Sequence, residues 1–167
     1  VEEALTIDPY QPEALLVEAF VQFYVDHEYQ NAIDSISSLV GRYPNNVDHL
    51  NFYGVMLMAI GRLDLATSVA NQMIDLDPLS PIGYQALGTT LMRAGKLEEA
   101  EEPLQRTASL GRNNPDFLAS LAFQSGDVGA LRALTKQGES SWGVAAQWYP
   151  FFAAAVPYLE GNQKKVR

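Results

Sequence analysis

The stretch "DLDPLSPIGYQALG", Asp75 to Gly88, decides how the chain is read. Pro78 and Pro81 stand three residues apart, and an amphipathic run with Gly88 inside it follows at once. Proline cannot continue a helix, because its ring clashes with the preceding turn and it has no N–H to donate. At the first helical position the missing N–H costs nothing. Pro78 therefore ends one helix and Pro81 begins the next. Glycine inside a helix costs about 1 kcal/mol against alanine, so Gly88 implies a close helix contact.

Working outward, the same pattern returns every 34 residues in windows 13–46, 47–80 and 81–114. Slot 4 holds Leu16, Leu50 and Tyr84; slot 7 holds Ala19, Tyr53 and Leu87; slot 11 holds Phe23, Leu57 and Leu91. These positions share one face of a first helix. Slot 8 holds Phe20, Gly54 and Gly88, and slot 20 holds Ala32, Ala66 and Ala100. Small residues at 8 and 20 let two antiparallel helices approach closely. Slot 15, with His27, Gly61 and Gly95, is the left-handed stop of the first helix. Pro44 and Pro78 stop the second helix near slot 32. Window one departs at Phe20 and His27, and a one-residue insertion in its first helix also fits.

The pattern predicts first helices over Glu13–Asp26, Val47–Ile60, Pro81–Ala94 and Pro115–Gln124. Second helices are predicted over Tyr29–Arg42, Leu63–Leu76, Leu97–Leu110 and Val128–Lys136. "VEEALTIDP" at 1–9 matches "ANQMIDLDP" at 70–78, so residues 1–12 are expected to end a preceding repeat. Residues 115–138 form a shortened repeat, with Gly126 in its turn and Asp127 as the cap of its second helix. Residues 139–167 are expected to hold a further first helix, a turn at Gly161-Asn162 and a truncated second helix. Apolar surface left uncovered at the truncated ends is expected to favour self-association.

The 34-residue period, the small pair at slots 8 and 20, and the turn segments "IGRLDLA" and "AGKLEEA" resemble the tetratricopeptide repeat (TPR) family. The resemblance covers nearly the whole chain. It implies an all-α fold, a right-handed superhelical solenoid of stacked antiparallel helix pairs. More narrowly, "IDLDPLSP" and "YPFFAAAVPYLEGNQKKV" resemble the C-terminal TPR regions of bacterial class III adenylate cyclases and ToxR-like regulators. No residue of this chain carries cyclase chemistry.

Composition excludes several functions. The 167 residues contain no cysteine, so disulfides, thiolate nucleophiles and zinc–cysteine sites are ruled out. His27 and His49 do not have metal-ligand spacing, and no cofactor motif is present. "GESSWG" carries one residue too many for a nucleophile elbow and has no strand before it. The acids of "EEAEEP" fit a solvated helix face. The chain is therefore read as non-catalytic. Its net charge is −9, which opposes nucleic-acid binding. No membrane span and no signal peptide are apparent, and the default compartment is the cytoplasm. Residues 1–41 hold eight acids and no Lys or Arg, which is read first as a solvated acidic face; if the chain binds a peptide, basic residues at one end of that ligand are expected there. The aromatic group Trp142, Trp148, Tyr149, Phe151, Phe152 and Tyr158 is read as core packing of a last helix rather than as a recognition patch.

The resemblance also implies a protein or peptide partner held on the concave face of the first helices. The family's groove slots fall on Val17, Val21 and Tyr24; Asn51, Val55 and Met58; and Gln85, Thr89 and Met92. Ala119 and Phe123 are added from the fourth repeat. The chaperone-type carboxylate clamp is not expected, because Val17, Val21, Phe52, Ile82 and Ala86 stand in its slots. The other reading is a regulatory or oligomerisation segment of a larger cyclase or transcriptional regulator.

Overall fold

The computed structural model describes residues 11–112, 114–136 and 138–166. The chain is helical throughout these residues, as α1 Pro12–Tyr24, α2 Tyr29–Arg42, α3 Val47–Ala59, α4 Leu63–Leu76, α5 Pro81–Arg93, α6 Leu97–Ser109, α7 Pro115–Ser125 and α8 Val128–Lys136. A 3-10 segment, Glu139–Trp148, broken by a kink at Gly143, leads into α9, Tyr149–Val166. Short connections make sequential helices antiparallel neighbours, and each hairpin packs on the next to give a helical solenoid. The expected end of a preceding repeat lies mostly outside the described residues.

Local chemistry sets most boundaries. The Asn46 side chain accepts the His49 N–H at 3.0 Å and caps α3. Ser80 caps α5 at 3.4 Å, with Pro81 at its first position. The Asp77 carboxylate accepts the N–H groups of Leu79 and Ser80, at 3.0 and 3.1 Å, and holds the turn between the two prolines. Asp127 caps α8 through the Ala130 N–H at 2.9 Å, as expected. Helices α2, α4 and α8 have the expected bounds. The first helices of repeats two and three stop one residue early, because Ile60 and Ala94 already belong to the turn.

Window one differs from expectation in register. Its first helix starts at Pro12, in line with Val47 and Pro81, and has the same 13 residues as α3 and α5. The extra residue lies after the helix, in a connection over 25–28 where the others have 60–62 and 94–96. Glu28 N–H reaches back to the Gln22 carbonyl, whereas Arg62 reaches Leu57 and Lys96 reaches Leu91. Gly61 and Gly95 take φ +77 and +75 there, and His27 takes +60 without being glycine. The small residue facing the second helix is consequently Ala19, not Phe20. Ala19 and Ala32 are both fully buried.

The core runs in three clusters. Phe23, Ile36, Leu39, Leu50, Leu57 and Met73 fill the first two hairpins. Leu91, Ala100, Leu104 and Leu121 fill the third and its junction with α7. Ala119, Leu131, Trp142 and Phe152 form the last. Trp142 is 1% exposed, and its indole N–H donates to the Leu134 carbonyl at 3.3 Å. Core packing of this region is therefore found for Trp142, Tyr149 and Phe152, but Trp148, Phe151 and Tyr158 stay 53%, 56% and 67% exposed.

The end of the chain departs from the repeat. No turn occurs at Gly161-Asn162, because α9 continues to Val166. Gly161 is not in the left-handed conformation that a helix stop of this kind needs. α9 also contains Pro157 and is tied to α8 by an ion pair between Arg132 and Glu160.

Candidate functional site

The slots facing one opening are set by helix phase. On α3, Asn51, Val55 and Met58 recur at four- and three-residue spacing, and Gln85, Thr89 and Met92 repeat this on α5. These six residues line one groove of about 460 Å³, together with Arg93 and Arg112 and with Phe117, Ser120 and Gln124 of α7. Ala66, Val69, Ala70 and Met73 of α4 also contribute to its lining.

The polar groups are partly committed. Gln85 Oε1 accepts from Asn114 Nδ2 at 2.9 Å, which fixes the direction of the Gln85 side chain and leaves its amide N–H groups for a ligand. Thr89 donates to the Gln85 carbonyl at 2.8 Å, so its hydroxyl oxygen remains as an acceptor. Thr90, deeper in the groove, donates to the Ala86 carbonyl at 2.7 Å. The groove offers apolar walls with amides and hydroxyls set between them. It contains no nucleophile paired with a base. Among the described residues no group of three or more His, Asp or Glu is placed to hold a metal ion.

Five of the residues picked from the sequence lie outside this groove. Val17, Val21 and Tyr24 are exposed on α1 but do not line it. There Phe20 meets Phe52 edge-on at 4.8 Å, and these rings bridge α1 to α3 where smaller side chains line the opening further along. Phe123 is turned instead toward Phe151 and Phe152, at 5.6 and 6.5 Å. Ala119, the other residue taken from the fourth repeat, is fully buried in the last core cluster.

Sequence reasoning missed Arg93, Arg112, Phe117, Ser120 and Gln124. Some of these had a signal. Slot 13 is a groove slot of the resembled family, and it falls on Arg93. The fourth repeat has a short first helix, so its slots count back from the turn at Gly126, φ +72, rather than forward from Pro115. Counted that way, slots 9 and 13 are Ser120 and Gln124. The acids of the first hairpin do not line the groove, and its only charged lining residues are the two arginines. The charge expectation from residues 1–41 thus does not describe this opening.

No protein-family model matches the chain. A thermophilic TPR protein of Thermus thermophilus superposes with a TM-score of 0.69 at 21% identity, over 95% of this chain and 86% of that one. The fold is that of TPR proteins. Pseudomonas aeruginosa pilF matches with a TM-score of 0.69 at 21% identity, over 99% of this chain and 80% of its own. At such identities the likeness is one of fold. The TPR repeat-containing protein YpiA of Bacillus subtilis (strain 168) is 30% identical over 107 residues, 62% of this chain. The chain spans about 25% of that protein's length. None of the three is described as an adenylate cyclase or a ToxR-like regulator. Among the described residues, no helix is long and apolar enough to cross a membrane.

Proposed function

We propose that the chain is a non-catalytic TPR array whose groove across α3, α5 and α7 receives an extended peptide segment of a protein partner. One observation carries this reading: six of the eleven residues that the family resemblance assigns to the groove line a single opening. An extended peptide needs partners for its main-chain N–H and C=O groups, and the amides of Asn51, Gln85 and Gln124 supply both kinds. Val55, Met58, Met92 and Phe117 take its apolar side chains, the two methionines adapting to different shapes. In this reading no cofactor is needed, nucleic acid is not a ligand, and the cytoplasm is the working compartment.

The test uses peptides selected on the chain from a random twelve-residue display library. Asn51→Ala with Gln85→Ala should weaken the selected peptides about tenfold, the loss of one or two net hydrogen bonds of about 1 kcal/mol each. The urea midpoint should fall only by what the part-buried bond from Asn114 to Gln85 contributes, about 1 kcal/mol, since neither residue belongs to the core clusters. Unchanged affinities, or a library that yields no binder, would overturn the groove reading.

The exposed Trp148, Phe151 and Tyr158 favour a second reading, in which the terminal helix packs on another copy or on a neighbouring segment. The array would then be a regulatory or oligomerisation segment of a larger cyclase or transcriptional regulator. Sedimentation that stays monomeric at high protein concentration would remove the self-association.

A further inference from the structure

We infer that the groove selects an acidic segment, by closing Arg93 and Arg112 around one Asp or Glu side chain of the bound peptide. This rests on the peptide-groove reading above and adds the partner's chemistry to it. Arg93 comes from the last turn of α5, and Arg112 from the connection between α6 and α7, yet both line the same opening. Neither guanidinium has a hydrogen bond or ion-pair partner among the described residues. Asp116, four residues after Arg112 in sequence, makes no ion pair with it. No carboxylate lines the groove, so nothing belonging to the chain itself competes for the two cations there.

The arrangement is unusual for this molecule, which has 20 acids against 11 Lys and Arg. Its overall field repels an acidic ligand at long range. At physiological salt, charges beyond about 8 Å are largely screened, so the groove lining outweighs the distant acids once a peptide is seated. Guanidinium forks pair with carboxylates through two parallel N–H···O bonds, which an amide or an apolar side chain cannot match. Ser120 and Gln124 of the same groove lining offer further donors to an acidic ligand. A ligand with one acid flanked by apolar residues would fill both parts of the opening.

The probes are peptides selected from the random twelve-residue library, and one enriched peptide synthesised with its acid as Glu and again as Gln. Enrichment of Asp and Glu is expected. Arg93→Gln with Arg112→Gln should weaken the Glu peptide about five- to tenfold, the size of partly exposed ion pairs. It should change the Gln peptide less than about twofold, since an uncharged amide gains little from either cation. Both arginines are exposed, and matching thermal melts check that the variant still folds. Peptides that need Asn51 and Gln85 but show no acid enrichment, or Glu and Gln peptides weakened alike, would overturn the acid anchor and leave the groove reading standing. Peptides indifferent to Asn51 and Gln85 as well would overturn both.

Discussion

The second and third hairpins follow the same 34-residue template and differ at one contact. A methyl group added at Gly54 would meet Val69 Cγ1 at 3.5 Å, which is ordinary van der Waals contact. Added at Gly88, it would lie 2.6 Å from Leu104 Cγ and 2.7 Å from its Cδ2. The glycines occupy the same slot, but the facing second helix carries Ala70 in one hairpin and Leu104 at the equivalent position of the other. The slot therefore asks for a small residue, and the opposing side chain decides how small. In the first hairpin Ala19 holds this slot, and Ile36 stands at the position of Ala70 and Leu104. Beyond α7 the template gives way: α8 has only 9 residues, and Trp142 after it is buried and bonded back to Leu134.

That contrast between regular repeats and an aromatic-filled end orders the expected effects. The largest is Trp142→Ala. Losing a fully buried aromatic should cost about 3–5 kcal/mol. The loss should fall on α7–α9, so hydrogen exchange should rise there first while α2–α4 keep their protection. Equal loss of protection along the whole chain would mean that the two regions fold as one unit.

Next comes Gly88→Leu, which should cost about 1–3 kcal/mol by overpacking against Leu104, read from the urea midpoint. Gly54→Ala should behave oppositely. With room for the methyl group and a helical backbone, it should stabilise by about 0.5–1 kcal/mol. If both substitutions destabilised alike, the difference between the two hairpins would not lie in the facing side chain.

The smallest effect concerns the fourth hairpin. Desolvation pushes the Asp116 carboxyl above its usual value, and backbone N–H groups of Asp116 and Phe117 only partly offset this. A raised folded value contributes stability in full below the unfolded value of 3.8, and this is lost as pH rises through the folded value. Asp116→Asn should accordingly melt slightly higher than the parent at about pH 7, with the gap closing on acidification toward about pH 3. A gap that widened on acidification would mean that the helix-terminus interaction, and not desolvation, dominates at this site.

Most of the helical framework was legible because it depends on neighbours in sequence. Pro78, Pro81, Asn46, Asp127 and the turn glycines act within a few residues, through caps, missing donors and left-handed backbone. Hence α2, α4 and α8 match their expected bounds, and the core stripe of each second helix follows from its period. On α3 and α5 an unbroken period puts Asn51, Val55 and Met58 in the same phase as Gln85, Thr89 and Met92, and the resemblance to the family is what assigned that phase to the groove. What the sequence left open was phase across breaks in the period. It allowed an inserted residue in the first repeat, but burial of Ala19 in the core shared with Ala32 goes with that residue lying in the turn rather than the helix. In the fourth repeat, Phe151 and Phe152 of α9 turned Phe123 away from the groove and left Ser120 and Gln124 facing it. Continuation of α9 through Gly161, burial of Trp142, and the placing of Arg93 and Arg112 on one groove also rest on contacts between helices far apart in the chain. Such contacts are decided by which faces pack together, and no local pattern of caps and periods specifies them.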